Sequence, residues 1–421
     1  MNLFWYTQLI RLLLPLLFAR LWWRGRKQAA YRQHWKERLG HYSAPSTTQP
    51  VIWIHAVSVG ETRAALPLIT ALQERYPTHA LLLTHTTPTG RETAQDILPP
   101  DIRRVYLPYD LPGAVQRFLD TFRPCQGFLL ETELWPRLIH ECHRRQIPLV
   151  LANARLSARS ATRYGRIPDL TRNMLGELTL IAAQSNTDAD RLRSLGGNAV
   201  IVMGNLKFDA PLPPSHTENF ARIRDLLGPG RQIWVAASTR DGEEALLLEH
   251  IQPLLTPPRL LILVPRHPQR FDSVAQLLER QGIRYVRRSQ ERPIPPSTQV
   301  LLGDSMGEMT TYFQLSQFAL MGGTLLPLGG QNLLEALAVG CPVLLGPHTY
   351  NFSEATAGAL AAQAARQFNQ PDDLTNNVRD FLDHPDHCTL MGERGRAFIE
   401  QHRGATLRLL EHIPRTLHSP F

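Results

Sequence analysis

The chain has 421 residues, of which 43% are hydrophobic and 19% charged, a balance that excludes a largely disordered protein and suits two globular domains. Its net charge of +8 favours an anionic partner. Nucleic acid is the least favoured such partner, because the sequence has no zinc-ligand spacing, RNA-binding signature or arginine-rich arm. The four cysteines form no CxxC pair, which predicts reduced thiols and no structural metal.

Residues 1–45 are predicted to form a membrane anchor followed by a basic segment. Leu3 to Trp23 is apolar almost throughout and long enough to cross a bilayer. Arg11 interrupts this run, so a helix lying in the membrane plane and a buried helix stay open as alternatives. Six basic residues lie between Arg24 and Arg38, and none precedes the apolar run. This asymmetry predicts that the rest of the chain stays on the cytoplasmic side.

Residues 46–212 are predicted to form a first doubly wound α/β domain. Short apolar runs alternate with helical segments, and the runs lack polar alternation, which favours a parallel sheet covered on both faces. One helix is expected from Thr62 to Arg75, with Pro67 inside it. The predicted strands are Val51–Val57, His79–Thr84, Gly127–Leu130, Pro148–Ala152, Leu178–Ala182 and Ala199–Val202.

Residues 213–421 are predicted to form a second domain of the same kind, after a proline-rich linker at Pro211–Pro214. Two Rossmann-like domains in tandem place the expected site in a cleft between the carboxyl ends of their sheets. The predicted strands are Gln232–Ala237, Arg259–Val264, Val300–Leu302, Phe318–Met321 and Pro342–Leu345.

Polar side chains follow several strands of the second domain and are expected to converge on a ligand. A helix after Gly329-Gly330 offers free N–H groups to a phosphate, and the guanidinium groups of Arg240 and Arg266 would neutralise it. Glu335 is placed to accept hydrogen bonds from a ribose. Each residue taken alone also fits a helix cap or a solvated charge. The set comprises Ser238, Arg240, Arg266, His267, Glu308, Asn332 and Glu335.

In the first domain the most informative residue is Glu61, which follows a strand and begins a helix. Its carboxylate either complements the helix dipole or acts as a general base, and position alone leaves both open. Glu131 and Glu133 end another strand and can face opposite ways. Lys207 is either a surface lysine or a positive charge offered to an anionic group. Asn153, at a further strand end, is a candidate acceptor contact.

Ordered motifs along nearly the whole chain resemble the bacterial 3-deoxy-D-manno-octulosonic acid (Kdo) transferase family. The resemblance implies a two-domain GT-B glycosyltransferase that moves Kdo from CMP-Kdo to the lipid A precursor, lipid IVA. It places this reaction on the cytoplasmic face of the inner membrane and requires no metal or other cofactor. The motifs include HAVSVGE (55–61), ETELWP (131–136), GNLKFD (204–209), PRHPQRF (265–271), GDSMGEM (303–309) and GGQNLLE (329–335), with Gln331 where many relatives carry His.

The resemblance also implies roles for individual residues. Glu61 matches the proton acceptor of an inverting transfer, and Glu131 and Lys207 match a charge-stabilising pair, with Glu133 as the alternative acid. Ser238 and Arg240 are expected to join the CMP-binding residues. The CMP-binding segments are matched by Arg266, His267, Gly307, Glu308, Met309, Asn332, Leu333, Leu334 and Glu335.

Three competing hypotheses use the same architecture. A murein or heptose transferase would differ in its donor. A nucleotide-sugar epimerase would form its product without an acceptor. A non-catalytic binder of nucleotide-sugars would use Glu61 only as a helix cap.

Overall fold

The computed structural model describes residues 1–26, 28–43, 49–210, 217–370 and 372–417. The chain divides into two compact units. Unit 1 comprises Met1–Ala210 and Arg403–Phe421, and unit 2 comprises Pro211–His402. The linker predicted at Pro211–Pro214 lies outside the described residues.

Unit 1 is built on a seven-stranded parallel sheet with the order β3-β2-β1-β4-β5-β6-β7. All six strands predicted for this part of the chain form. The remaining strand, β3, was not predicted, because it begins with two arginines that break its apolar pattern. The strands are β1 (Val51–His55), β2 (Ala80–His85), β3 (Arg103–Tyr106), β4 (Pro124–Leu130), β5 (Leu149–Ala154), β6 (Leu180–Ala183) and β7 (Val200–Val202).

Both faces of this sheet are covered by apolar packing, as the unbroken hydrophobic runs predicted. Ile52 and Ile54 of β1 face one buried cluster, which also contains Leu68. Trp53 faces the opposite cluster, where its ring lies edge-on to Phe118 with 5.1 Å between centroids. Burial of each such side chain contributes about 1.5–3 kcal/mol, so the sheet is a rigid platform for the loops at its carboxyl edge.

The helices of unit 1 flank the sheet, and the expected single helix from Thr62 to Arg75 is wrong. Two helices, α3 and α4, occupy this stretch, because Pro67 has no N–H and is tolerated only in the first turn of a new helix. The helices are α1 (Leu3–Arg24), α2 (Trp35–Arg38), α3 (Val59–Ala64), α4 (Leu66–Arg75), α5 (Pro88–Ile97), α6 (Pro112–Phe122), α7 (Pro136–Arg144), α8 (Ala158–Gly165), α9 (Pro168–Gly176) and α10 (Asn186–Ser194).

The predicted membrane-spanning helix is not supported. The segment does form a helix, α1, capped by Asn2, whose side chain accepts the N–H of Trp5 at 3.2 Å. Within the described ranges, however, no helix is both long enough and apolar enough to cross a bilayer. Polar and charged residues at Gln8, Arg11 and Arg20 interrupt the apolar run.

Unit 2 is built on a second seven-stranded parallel sheet, with the order β10-β11-β9-β8-β12-β13-β14. The five predicted strands form, whereas the short edge strands β10 and β14 were not predicted, because charged or amide side chains occupy part of each. The strands are β8 (Gln232–Thr239), β9 (Arg259–Pro265), β10 (Tyr285–Arg287), β11 (Val300–Leu302), β12 (Ala319–Met321), β13 (Val343–Leu345) and β14 (Ala365–Gln367).

The core of unit 2 centres on aromatic packing against its sheet. The rings of Trp234 and Phe318 stack with 5.2 Å between centroids, and Phe381 packs on Phe318 at 4.9 Å. The helices are α11 (Thr217–Leu227), α12 (Glu243–Ile251), α13 (Phe271–Arg280), α14 (Met309–Leu315), α15 (Leu334–Ala338), α16 (Ser353–Ala361), α17 (Asp373–Asp383) and α18 (Pro385–His402).

The C-terminal segment groups with unit 1, whereas the predicted second domain extended to residue 421. Its helix, α19 (Ala405–Glu411), buries Leu409 in the core cluster of unit 1. The carboxylate of Asp209 accepts the N–H groups of Gly404 and Thr406 at 2.7 and 2.6 Å. These contacts join residues about 195 positions apart, which local sequence patterns do not report.

Candidate functional site

Glu61 lies at the carboxyl edge of the unit 1 sheet, in the first turn of α3. Ser58 is the N-cap of this helix, and its hydroxyl oxygen accepts the Glu61 N–H at 3.3 Å. The Glu61 carboxylate reaches back, accepting the Val57 N–H at 2.8 Å through Oε2 and the Ser58 hydroxyl at 2.9 Å through Oε1. This is a capping box, which fixes the position of the carboxylate while part of it stays exposed.

Local electrostatics raise the pKa of Glu61 above that of an ordinary glutamate. Burial is the largest cause, and the charges of Glu131 and Glu133 act in the same direction. The hydrogen bonds from Val57 and Ser58 oppose the shift because they favour the ionised form. Glu61 is therefore a fixed carboxylate with increased proton affinity, beside two further acids. Both the capping role and the role of a base fit this geometry.

Glu131 and Lys207 come together in unit 1, as the resemblance implied. Glu131 directly follows β4 in the left-handed region (φ 57°), and its Oε1 lies 3.8 Å from Nζ of Lys207. Lys207 lies in a short 3₁₀ turn, Leu206–Phe208, in which the first two backbone N–H groups donate to asparagine side chains. Asn205 accepts the Lys207 N–H at 3.0 Å.

Asn153 has a structural role that the sequence did not indicate. The side chain was a candidate acceptor contact, but it is buried, and its Oδ1 accepts the N–H of Leu206 at 3.1 Å. The residue itself adopts a left-handed conformation (φ 54°) near the end of β5. Asn153 therefore anchors the turn that carries Lys207.

Glu133 lies on the same loop as Glu131 but turns toward another partner. Its Oε2 is 3.9 Å from Nε2 of His55, the buried last residue of β1. Glu131 and Glu133 thus have different neighbours, Lys207 for the first and His55 for the second. Across the described part of the chain, no group of three or more His, Cys, Asp or Glu side chains is arranged to hold a metal ion.

In unit 2 the predicted binding residues lie in loops at the carboxyl edge of the sheet. Ser238 and Arg240 end β8, and Arg266 and His267 follow the adjacent strand β9. The backbones of these two loops are joined, because the Arg266 N–H donates to the Thr239 carbonyl at 2.9 Å. Burial and the charges of Arg240, Arg266 and Arg270 lower the pKa of His267. This edge is therefore a cationic surface suited to an anion.

In the motif at residues 307–309, the Glu308 carboxylate is not free to bind a ligand, whereas the backbone at Gly307 is exposed. Glu308 is buried and accepts hydrogen bonds from Arg288 at 2.8 Å, from Tyr312 at 2.7 Å and from Ser305. Its oxygens are therefore committed within unit 2. Gly307 is exposed with φ 80°, and a Cβ at that position would meet open space.

In the motif at residues 332–335, the polar side chains bond to one another and to the start of α15. Asn332 donates to Oε1 of Glu335 at 3.0 Å and accepts the Leu334 N–H at 3.2 Å. The side chains of Leu333 and Leu334 are buried and do not face a ligand, and the Leu334 N–H is already donated to Asn332. Asn332 and Glu335 are both partly exposed.

Glu243 organises the loops of unit 2, and the sequence analysis missed it. This fully buried carboxylate accepts three backbone N–H groups, from Arg240 at 2.8 Å, Gly323 at 2.6 Å and Leu325 at 2.9 Å. It thereby ties the loop after β8 to the loop after β12. Its place directly after Gly242, at the start of a helix, was the only local sign of this role. Two of its three partners, Gly323 and Leu325, lie about 80 residues away in the sequence.

Comparisons with known proteins identify the family. A family model described as 3-deoxy-D-manno-octulosonic-acid transferase (kdotransferase) matches residues 33–210. The 3-deoxy-D-manno-octulosonic acid transferase of Haemophilus influenzae is 40% identical over 414 residues, covering 97% of both chains. The enzyme of the same name from Bordetella pertussis is 40% identical over 425 residues, covering 97% of this chain and 98% of its own.

A solved structure supports the fold separately. The UDP-GlcNAc 2-epimerase of Neisseria meningitidis is 15% identical, covers 86% of this chain and 98% of its own, and aligns with a TM-score of 0.58. This likeness concerns the fold alone, and two parallel-sheet α/β units agree with the GT-B architecture that the sequence predicted. The family model and the two relatives at 40% identity show that the chain belongs to the 3-deoxy-D-manno-octulosonic acid transferase family and is a glycosyltransferase.

Proposed function

We propose that this enzyme moves Kdo from CMP-Kdo to the lipid A precursor, lipid IVA, by inverting transfer in the synthesis of the lipopolysaccharide inner core. Family membership supports Kdo as the transferred sugar. The observation that carries the mechanism is the fixed carboxylate of Glu61, whose pKa is raised beside Glu131 and Glu133.

Glu61 is the proposed general base. A sugar hydroxyl is too weak an acid to ionise beforehand, so its proton leaves as the new carbon–oxygen bond forms. Glu61 uses two of about four lone-pair sites for the capping box, so acceptor sites remain for that proton. Its raised pKa makes it a stronger base than an ordinary glutamate.

Glu131 and Lys207 are proposed to stabilise the charges that develop during transfer. As the bond from the anomeric carbon to the phosphate breaks, positive charge builds on the sugar ring and negative charge on the leaving group. A carboxylate and an ammonium 3.8 Å apart offer one group of each sign. Their mutual attraction also limits the movement of both side chains.

The loops of unit 2 are proposed to bind the CMP portion of the donor. Arg240 and Arg266 would face the phosphate, next to a His267 that the same charges keep neutral. Gly307, Met309 and the partly exposed Asn332 and Glu335 would contact the nucleoside through backbone and side chain. In this proposal, side chains and backbone N–H groups stabilise the leaving nucleotide, and no metal or other cofactor is assigned.

We further propose that the enzyme acts at the cytoplasmic face of the inner membrane, with α1 lying in the membrane plane. Trp5, Leu9, Leu12, Leu16 and Trp23 recur at helical spacing and are between 45% and 76% exposed. Exposed arginines lie beside this stripe and near the end of α1, where anionic lipid headgroups would meet them. They are Arg11, Arg20, Arg24 and Arg26.

Vesicle binding tests the proposed location. The double variant Leu12→Glu with Leu16→Glu is expected to lose sedimentation with phosphatidylglycerol vesicles. Leu407→Glu, at an equally exposed leucine of α19, serves as the control and is expected to sediment like the unaltered protein. Equal sedimentation of all three proteins contradicts the proposed membrane contact.

Product formation tests the proposed reaction. The purified protein is incubated with CMP-Kdo, with and without lipid IVA, and the products are identified by mass spectrometry. Kdo-modified lipid in the complete mixture supports transfer, whereas a product formed without acceptor favours an epimerase. A murein or heptose transferase would be inactive with CMP-Kdo and active with its own donor.

Glu61→Gln tests the proposed base without disturbing the fold. A glutamine keeps an acceptor for the Val57 N–H and satisfies the capping box, but it cannot take a proton. We expect transfer to fall by about 10²–10⁴-fold, with CMP affinity unchanged in calorimetry. Turnover near that of the unaltered enzyme would remove Glu61 from the mechanism.

A further inference from the structure

His55 is a buried residue at the centre of the unit 1 site with one unused ring nitrogen. It ends β1, is completely buried, and lies six positions before Glu61. Its Nδ1 lies 2.9 Å from the hydroxyl oxygen Oγ1 of Thr84 and 3.1 Å from the carbonyl oxygen of the same residue. Its Nε2 has no hydrogen-bond partner in the described part of the chain. A buried polar atom without a partner is rare in native proteins and calls for an explanation.

The neighbours of Nδ1 fix the ring. The indole N–H of Trp53 donates to Thr84 Oγ1 at 2.8 Å, so this hydroxyl oxygen already accepts one bond. Both Trp53 and Thr84 are buried, and neither can move without disturbing the core. The imidazole plane is therefore held by β1 and β2, and Nε2 has one fixed direction.

Nε2 of His55 points toward the acidic loop after β4. The carboxylate oxygen Oε2 of Glu133 lies 3.9 Å away, slightly beyond hydrogen-bond length. The His55 side chain is completely buried, whereas that of Glu133 is 27% exposed to solvent. A shift of Glu133 of about 1 Å closes the hydrogen bond.

We propose that His55 is a positioning residue that holds Glu133 by a hydrogen bond from Nε2 in the working enzyme. The proton of the neutral ring then lies on Nε2, and Nδ1 accepts the hydroxyl proton of Thr84. This proposal rests on the proposed function, in which the neighbouring Glu61 is the base. It gives each acid of the loop its own partner, Lys207 for Glu131 and His55 for Glu133. Glu61 then remains as the one acid of the three whose free lone pairs serve the reaction.

Electrostatics explain why such a partner is needed. Glu131 and Glu133 each raise the pKa of Glu61, so an unpaired Glu133 would favour protonation of the base. In this proposal, the hydrogen bond from His55 draws the Glu133 carboxylate toward β1 and so limits the effect of its charge on Glu61.

A double-mutant cycle tests the proposal. Asn is the matched substitution for His55, because its amide oxygen can take the place of Nδ1 and accept the Thr84 hydroxyl proton, but it has no counterpart of Nε2. We expect His55→Asn to lower kcat by about 10-fold at saturating donor and acceptor, with the KM for CMP-Kdo unchanged. Glu133→Gln removes the charge that His55 would hold, so the double variant should recover the activity that His55→Asn loses.

One control separates this role from general packing. His85→Asn makes the same substitution at the end of β2, where Nε2 also lacks a partner, and should leave kcat within 3-fold. A double variant as slow as His55→Asn, or a His55→Asn enzyme with full activity, would overturn the proposal. Absence of Kdo transfer by the unaltered enzyme would instead reject the proposed function itself.

A spectroscopic readout keeps the test valid even if a His55 variant fails to fold. In protein labelled with ¹⁵N-histidine, the Nε2 resonance of His55 is compared between the unaltered enzyme, Glu133→Gln and Glu131→Gln. We expect a shift in the first variant and none in the second, because only Glu133 faces Nε2. An unchanged resonance in Glu133→Gln contradicts the hydrogen bond.

Discussion

Nζ of Lys207 lies 3.8 Å from Oε1 of Glu131, and the two side chains are 34% and 28% exposed. An ion pair with this exposure contributes little to stability. Its residues nevertheless come from two distant segments, and buried Asn153 holds the turn that carries the lysine. The pair therefore adds little to folding, which agrees with the role in transfer that we propose for it.

The first prediction concerns this pair. Lys207→Met keeps the length of the side chain but removes its charge, and we expect kcat to fall by about 10²–10³-fold. The melting temperature should change little because the pair is exposed. Lys207→Arg, which keeps the charge, should retain more activity than Lys207→Met. A methionine variant within 3-fold of the unaltered kcat contradicts the assigned role.

The second prediction concerns the pH dependence of transfer. A base works when it is deprotonated, so activity is present above the pKa of Glu61 and is lost as pH falls through it. Because that pKa is raised above 4.5, the acid limb of the kcat profile should lie above pH 4.5.

Two substitutions should move this limb in opposite directions. Ser58→Ala removes a hydrogen bond that lowers the pKa of Glu61, so the limb should move to higher pH. Glu131→Gln removes a negative charge that raises it, so the limb should move to lower pH. The measurement is the position of the limb, which is independent of the absolute rate. If the acid limb moves in the same direction in both variants, a group other than Glu61 titrates.

The third prediction concerns Glu243. Its carboxylate accepts three N–H groups in the interior of unit 2, so Glu243→Gln loses charge-assisted bonds and turns an amide N–H toward a donor. We expect a loss of about 2–4 kcal/mol in stability and weaker CMP binding. Glu249→Gln, on the exposed face of the same helix, is the control. Thermal unfolding and calorimetry with CMP measure both effects, and an unchanged CMP affinity would separate Glu243 from the donor loops.

Long apolar runs made most of this fold predictable. Strands such as β1 and β9 are buried on both faces, so their sequences are hydrophobic apart from His55 and Arg259 at their ends. Strand β3 escaped prediction because Arg104 occupies it, with its guanidinium donating to the backbone carbonyls of Ala94 and Leu98. These hydrogen bonds accommodate the charge of Arg104 at the sheet edge, and the apolar pattern used to predict strands does not report them.

The candidate site was predictable only where a residue acts at its own strand end. Glu61 follows a strand and begins a helix, so its position made it a candidate, although it did not choose between a cap and a base. Glu243 follows β8 and Asn153 lies near the end of β5, but their roles depend on backbone groups about 80 and 53 residues away. Which buried polar groups pair is decided by tertiary packing, so the sequence alone gave them no role or a different one.

The last prediction concerns Tyr6 of α1 and Asp110. The Asp110 carboxylate is buried and accepts the N–H groups of Arg137 and Leu138, at 2.9 and 2.8 Å, at the start of α7. It also accepts the hydroxyl of Tyr6, which joins α1 to the helix that directly follows the loop of Glu131. Burial raises the pKa of Asp110 to about 6. Between about pH 4 and 6 the folded state therefore binds more protons than the unfolded state, and stability falls as pH rises.

Tyr6→Phe removes a donor to the ionised carboxylate, so its cost should depend on pH. We expect a loss of about 1.5–3 kcal/mol at pH 7.5, where Asp110 is ionised, and a smaller loss at pH 4.5, where it is protonated. Chemical denaturation at both pH values measures this difference. Tyr350→Phe is the control, because its hydroxyl donates to the carbonyl of Pro327, which does not titrate. An equal cost of Tyr6→Phe at the two pH values would show that its hydroxyl does not bind the ionised Asp110.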